Sequence, residues 1–152
     1  MHKQRVYIDT SVIGGCCDDR FASESRALLK MARKGSIILL LSDLLVRELA
    51  GAPAAVREVL EALPEDAFEL VTVTEEVELL RGYYMEAAIL GETAKNDALH
   101  IAAATVYRAD LVVSWNFRHI VHVDKIRRFN AVNLVQGYQP IDVRSPKEVI
   151  LP

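Results

Sequence analysis

The stretch Arg5-Val6-Tyr7-Ile8-Asp9-Thr10-Ser11 is a short apolar strand that runs into a carboxylate and two hydroxyl residues. In an α/β fold, the residue that follows a parallel strand lies at the edge of the sheet where ligand sites are built. A second run, residues 37–41, is fully apolar and is typical of a strand buried on both faces. Together the two stretches predict a parallel sheet with Asp9 at its carboxyl edge.

Strand and helix patterns alternate along the rest of the chain. Ser23 is the expected N-cap of a helix over residues 24–34, and Thr74 that of a helix over residues 75–90, which Gly91 would end. Further strands are expected at residues 68–73, 111–114 and 141–143. This alternation predicts the α/β class, a central and mostly parallel sheet of about five strands with helices on both faces. The length predicts a single domain over residues 1–152.

Composition bounds the class of protein. A hydrophobic content of 51% indicates a globular chain rather than a disordered one. No apolar run is long enough for a membrane span, so we expect a cytoplasmic protein. Cys16 and Cys17 are adjacent, which disfavours both a disulfide and a zinc site. The net charge of −3 excludes a generally basic coat, so a nucleic-acid partner would need a local basic patch.

Three further polar residues are expected near the edge that carries Asp9. Glu48 lies in a short helix after the second strand, Asp97 in the first turn of an alanine-rich helix over residues 95–108, and Asn116 just past the fourth strand. Carboxylates persist at close range where a cation compensates their repulsion and desolvation. Hard oxygen ligands suit Mg²⁺ or Mn²⁺, and such an ion supports phosphodiester hydrolysis. Each residue alone also fits an ordinary role as a helix cap, a turn residue or a solvated side chain.

Four blocks of the chain resemble the PIN-domain ribonucleases, many of which are toxins of VapBC-type toxin–antitoxin pairs. The blocks are residues 6–11, 41–49, 96–104 and 109–117, and the resemblance covers essentially the whole chain. It implies an α/β/α sandwich, a Mg²⁺ or Mn²⁺ site held by Asp9, Glu48 and Asp97, and a supporting role for Ser11. It also implies RNA as the substrate, an antitoxin as a protein partner and a homodimer.

The sequence departs from the PIN pattern at Asn116, where many members of the family carry an aspartate. An amide oxygen can coordinate a metal but adds no negative charge, so a second metal is in doubt. The alternative is that Asn116 caps the helix that follows it. The form Trp115-Asn116-Phe117 resembles a recurrent subgroup of the family.

Basic residues that could contact RNA follow Asn116 directly. We expect Arg118, His119 and Lys125 to hold phosphates, the alternative being a solvated helix face. Trp115 and Phe117 could stack on bases, although we expect both in the core. His100 is expected to be a packing residue.

The leading hypothesis is a metal-dependent endoribonuclease in which Asp9, Glu48, Asp97 and Asn116 form the site. The alternative is a catalytically weak PIN-like module that binds RNA or a protein. A phospho-receiver domain is disfavoured because the third strand ends in Val73-Thr74, without the aspartate that such a domain phosphorylates.

Overall fold

Five parallel strands form one sheet in the part of the chain that the computed structural model describes, residues 2–150. The strands are β1 (Gln4–Ile8), β2 (Ile37–Ser42), β3 (Phe68–Val71), β4 (Leu111–Val113) and β5 (Val143–Arg144). They are arranged in the order β3-β2-β1-β4-β5, and every neighbouring pair is parallel. The predicted α/β fold with about five parallel strands is confirmed.

Helices cover both faces of this sheet. They are α1 (Thr10–Gly15), α2 (Ala22–Arg33), α3 (Asp43–Ala50), α4 (Ala54–Glu61), α5 (Glu75–Glu86), α6 (Lys95–Val106), α7 (Val123–Val135) and α8 (Pro146–Val149). Side chains alternate between the two faces of a strand. Tyr7 of β1 therefore packs with α5, α6 and α7, whereas Val6 and Ile8 pack with α1, α2 and α4. The result is an α/β/α sandwich, and within residues 2–150 no helix is both long and apolar enough to span a membrane.

The start of α2 differs from the sequence prediction. The helix begins at Ala22, so Ser23 lies inside it, and the N-cap Phe21 makes no side-chain capping bond. The Phe21 ring instead stacks on Trp115, with 4.2 Å between ring centroids. A contact between residues distant in the chain thus sets the start of the helix, in place of the local cap that the sequence indicated.

Several predicted ends are also wrong. α5 stops at Glu86 instead of residue 90, and Ala88 adopts a left-handed backbone with φ of 56°. The turn places Ile89 and Leu90 in the core, and Gly91 precedes a short 3-10 turn instead of ending α5. β3 ends two residues early, at Val71, where the Tyr107 hydroxyl takes over the backbone bonds of Thr72.

Both ends of the last strand and the end of α6 also differ from the prediction. The strand is Val143–Arg144 instead of residues 141–143. α6 ends at Val106 instead of residue 108, and Arg108 beyond it has a left-handed backbone. The short helices α1 and α8 were not predicted from the sequence.

Candidate functional site

Asp9 lies at the point where the order of the sheet reverses direction, between β1 and β4. Ile8 pairs with Val113, so the residues that follow them, Asp9 and Ser114, lie side by side at the carboxyl edge. The Ser114 hydroxyl donates to Asp9 Oδ2 at 2.8 Å, and the Ser11 hydroxyl donates to Asp9 Oδ1 at 2.6 Å. Ligands bind at this kind of switch point in open parallel sheets. The predicted position of Asp9 and the supporting contact of Ser11 are both present.

The Asp9 carboxyl group is buried, with only 4% of the residue exposed. Burial raises its pKa above the ordinary value, and the negative charge of Asp97 adds to this. His100 and the two serine hydroxyls oppose the effect without cancelling it. Asp9 is therefore a carboxylate that carries an uncompensated cost of ionisation, and a cation beside it would reduce that cost.

Glu48 is held from two directions on α3. Thr10 Oγ1 donates to Glu48 Oε1 at 2.5 Å, and His100 Nε2 lies 2.7 Å from the same oxygen. Burial alone would raise the pKa of Glu48, but the hydrogen bonds from His100 and Thr10 outweigh it and lower the pKa below the ordinary value. Glu48 is thus fixed in its ionised form.

Asp97 lies in the first turn of α6, where its charge favours the helix dipole. Its Oδ2 atom is 2.8 Å from Nδ1 of His119, and both side chains are about one quarter exposed, at 26% and 27%. The imidazole that was predicted to contact RNA is therefore also the partner of a predicted metal ligand.

Asn116 caps the turn that follows β4. Its Oδ1 atom accepts from the backbone N–H of His119 at 2.9 Å, and its own N–H donates to Ser114 Oγ at 2.9 Å. The predicted alternative, a cap of the next helix, is therefore wrong in its target: Asn116 caps a turn, whereas the N-cap of α7 is His122. A carbonyl oxygen has a second lone pair, so a further role as a ligand stays a prediction.

The carboxylates are of the right chemical type for a divalent cation, but they do not form a closed cluster. Within residues 2–150, no group of three or more His, Cys, Asp or Glu side chains is close enough to hold a metal ion. Carboxylate and amide oxygens are nevertheless the ligands that Mg²⁺ prefers, and the pKa of Asp9 stays raised despite His100 and the two serine hydroxyls. The donor set fits Mg²⁺ or Mn²⁺ in its chemistry, whereas its spacing is that of separately hydrogen-bonded carboxylates.

Two pockets with basic walls border the acids. Arg118, His119 and Lys125 line one pocket of about 450 Å³, where Lys125 Nζ donates to the carbonyl oxygen of Ile89 at 2.9 Å. The three predicted RNA contacts thus do come together. The second pocket, of about 400 Å³, has Glu48 in its wall and was not predicted. Its basic lining residues are Arg47, Arg81 and Lys95.

Of the two aromatic residues beside Asn116 that were predicted to lie in the core, only one does. Trp115 is in the core as expected, and its Nε1 donates to Ser25 Oγ at 2.8 Å. Phe117 is 50% exposed, so its predicted place in the core is wrong. The reason is that β4 has already ended and the chain turns outward at Asn116.

The remaining acids near the strands have structural partners. Asp110 accepts from the backbone N–H of Arg5 at 2.8 Å, before β4 and at the opposite end of the strands from Asp9. Asp43 Oδ1 accepts from the N–H of Val73 at 2.9 Å.

Sequence reasoning missed four residues that contact the acids or their partners: Tyr7, Thr10, His100 and Ser114. The register of β1 and β4 could have identified Ser114, because it follows β4 as Asp9 follows β1. The site role of His100 had no signal beyond its position one turn after Asp97, among alanines.

Comparisons with known proteins agree with this architecture. The chain has the fold of VapBC2 from Rickettsia felis bound to a promoter DNA fragment, with a TM-score of 0.60, 14% identity, and coverage of 93% of this chain and 98% of that one. DNA-bound VapBC from Salmonella typhimurium also has this fold, with a TM-score of 0.60, 14% identity, and coverage of 94% of this chain and 98% of that one. VapC20 of Mycobacterium tuberculosis, a toxin that cleaves the sarcin-ricin loop, has a TM-score of 0.52 and 12% identity, with coverage of 90% of this chain and 98% of that one. At these identities the likeness concerns the fold alone.

No curated protein sequence matches this chain significantly. The sequence profile of the PIN domain family, in contrast, matches residues 5–118, which include Asp9, Glu48, Asp97 and Asn116. This match extends over well more than half of the chain. The chain belongs to the PIN domain family.

Proposed function

We propose that this PIN domain is a Mg²⁺- or Mn²⁺-dependent endoribonuclease of the Trp-Asn-Phe subgroup and the toxin of a toxin–antitoxin pair. The observation that carries the proposal is the Asp9 carboxylate. It is buried at the switch point of the sheet, and its pKa is raised by burial and by the charge of Asp97. A buried carboxylate with a raised pKa in such a position is typical of a site that binds a cation and performs a reaction.

Asp9, Glu48 and Asp97 would hold the ion, with Asn116 as a further oxygen donor. When bound, the ion neutralises charge on the scissile phosphate and promotes attack by water. The rest of the work belongs to the chain itself. Ser11 and Ser114 fix both oxygens of Asp9, and Thr10 donates to Glu48. These bonds hold the carboxylates in place before substrate arrives.

An RNA strand would cross the acids between the two basic pockets. Arg118 and Lys125 line one pocket together with His119, the partner of Asp97, and Arg47 and Arg81 line the other together with Glu48. Positive charge in the two pockets offsets the repulsion between a phosphodiester and the carboxylates. The exposed ring of Phe117 would stack on a base next to the cleaved bond.

We also propose an antitoxin partner, a homodimer and a cytoplasmic location. Two of the similar structures are complexes named VapBC, and the third is a toxin. Large apolar side chains remain exposed on α5 and α7, among them Leu79, Leu134 and Val135. A partner that covers them would remove this apolar surface from water.

The second candidate is a PIN-like module that binds RNA or a protein and cuts poorly. It is favoured by the use of the Asn116 oxygen as a cap and by the absence, within residues 2–150, of a closed three-ligand cluster.

Cleavage and retention of RNA, measured in parallel, distinguish the two candidates. A pool of single-stranded and structured RNA is incubated with excess purified protein in Mn²⁺, Mg²⁺ or EDTA. The fraction of RNA cleaved and the fraction retained on the protein are then measured. The nuclease predicts cleavage with either metal and none in EDTA, while the binding module predicts retention of intact RNA in all three. A folded protein, free of any copurified partner, that neither cuts nor retains RNA would contradict the nuclease and the RNA-binding form of the module, and would leave only a module that binds a protein.

A further inference from the structure

A buried chain of hydrogen bonds runs beneath the carboxylates, from Glu48 to the centre of the sheet. His100 Nε2 lies 2.7 Å from Glu48 Oε1, and His100 Nδ1 lies 2.6 Å from the hydroxyl of Tyr7. The Tyr7 hydroxyl donates to Ser42 Oγ at 3.0 Å. Ser42 in turn accepts from the N–H of Leu45 and so caps α3, the helix that carries Glu48.

The burial of this chain makes it rigid. Tyr7 and Ser42 are fully buried, and 2% of His100 is exposed. An ionised carboxylate only accepts hydrogen bonds, so Nε2 of His100 bears the hydrogen that Glu48 accepts. With Nε2 directed at Glu48, the contact between Nδ1 and Tyr7 fixes the rotation of the ring. His100 cannot swing away without leaving a buried polar group unpaired.

The two donors to Glu48 meet the same oxygen. Thr10 and His100 both contact Oε1, and among the described residues Oε2 has no hydrogen-bond partner. Glu48 also forms part of the wall of an open pocket. The donors therefore hold the side chain by one oxygen and leave the other for a ligand.

We infer that His100, oriented by Tyr7, is the positioning residue of Glu48, and that it sets the metal affinity and turnover of the nuclease proposed above. It acts through Glu48 and touches neither substrate nor metal. Partners of this kind behind a metal ligand typically change metal affinity or activity by about 10- to 100-fold when removed.

The chain offers a matched pair of variants that each remove one buried hydroxyl. Tyr7→Phe removes the hydroxyl that orients His100. Tyr84→Phe removes that of an equally buried tyrosine, which bonds to Asn133 and Thr105 and contacts none of the acids. Each variant loses a hydroxyl with two buried hydrogen-bond partners, so a loss of stability alone affects the two alike.

The readouts are the Mn²⁺ dissociation constant from calorimetry, kcat and KM for RNA cleavage, and RNA affinity in EDTA. We expect Tyr7→Phe to weaken Mn²⁺ binding and lower kcat by about tenfold, with KM and RNA affinity unchanged. We expect Tyr84→Phe to match the wild type in all four. Equal values for the two variants would overturn the inference.

A second pair tests His100 directly. His100→Gln keeps a donor within reach of Glu48, whereas His100→Leu removes it, so Gln should retain more of the Mn²⁺ affinity than Leu. Equal affinity for Gln and Leu would also overturn the inference. If the wild type cuts no RNA, the proposed function fails. The Mn²⁺ affinities of the variants then decide whether His100 positions Glu48 or only packs in the core. A wild type that binds no Mn²⁺ would reject the positioning role as well.

Discussion

Asp9 and Glu48 lie at the same edge of the sheet, yet their surroundings move their pKa values in opposite directions. Burial raises the pKa of Asp9, whereas bonds from His100 and Thr10 bring that of Glu48 below its ordinary value despite burial. Two carboxylates with different proton affinities are typical of a catalytic site. The surroundings of Asp9 therefore disfavour its ionised form, whereas those of Glu48 favour it.

Replacing Asp9 with asparagine should stabilise the metal-free protein. Because the folded-state pKa of Asp9 is raised, the native state loses stability as pH rises from the ordinary aspartate pKa through the raised value. Asp9→Asn removes that loss. Its gain in free energy of unfolding over the wild type should be largest above the raised pKa and should disappear toward acid pH. Urea unfolding in EDTA across a pH series measures the difference. A variant less stable than the wild type at pH 8 would contradict the account.

Residues whose role depends on one contact across the fold were the hardest to predict. Asp9 was placed correctly because the residue after a strand must lie at the edge of the sheet. His119 was taken only as an RNA contact, but the turn that Asn116 caps brings it to Asp97. His100 was taken as packing, because nothing in its neighbours shows that Tyr7 and Glu48 would meet it.

At the scale of elements, α1 is a helix that the local sequence does not predict. It contains Val12, Ile13 and two glycines, all poor helix formers. Packing overrides that preference, because α1 buries Val12 and Ile13 against the sheet and against α2. Gly15 permits the close approach. A Cβ there would lie 2.6 Å from Ser25 Oγ and 2.8 Å from Trp115 Nε1.

The two glycines of α1 give a prediction with its own control. Gly15→Ala would push apart the bond between Ser25 and Trp115 and should destabilise the fold by about 1–3 kcal/mol. Gly14→Ala has nothing within 4 Å of its new methyl group and should be neutral or stabilising by about 0.5 kcal/mol. Chemical denaturation measures both. Equal effects would show that Gly15 has no packing role.

Other elements were predicted in kind but not in extent. The apolar run at residues 37–41 and the cap Thr74 gave the correct positions of β2 and of the start of α5. The end of α5 was missed because Ala88, an unexpected residue for a left-handed backbone, makes the turn that buries Ile89 and Leu90. Patterns of periodicity describe a helix well and describe its last turn poorly.

At the scale of the molecule, a chain of net charge −3 has two pockets lined by basic side chains, one that includes Glu48 and one that includes His119, the partner of Asp97. Such a distribution attracts a phosphate backbone to one edge without making the whole surface basic. We also propose that residues 1–152 fold as one domain, since the core on each face of the sheet joins helices from both halves of the chain.

The basic pocket beside Asp97 should contribute to RNA affinity through charge. Arg118→Ala should weaken RNA binding and reduce the dependence of log K on log salt by about 0.7. Arg33→Ala is the control. Arg33 is exposed on α2, which packs on the face of the sheet opposite to the one that α6 and α7 cover. Fluorescence anisotropy in EDTA from low to moderate salt gives both slopes. Identical slopes for the two variants would remove Arg118 from the RNA path.

Two aspartates near opposite ends of the strands separate metal binding from a general loss of negative charge. Asp97→Asn and Asp110→Asn each remove one negative charge, but only Asp97 is proposed to hold metal. RNA cleavage is measured for both, and for the wild type, in Mn²⁺ under single-turnover conditions. The account predicts that Asp110→Asn cuts like the wild type and that Asp97→Asn loses at least about two orders of magnitude in rate. Full activity in a folded Asp97→Asn protein would contradict it.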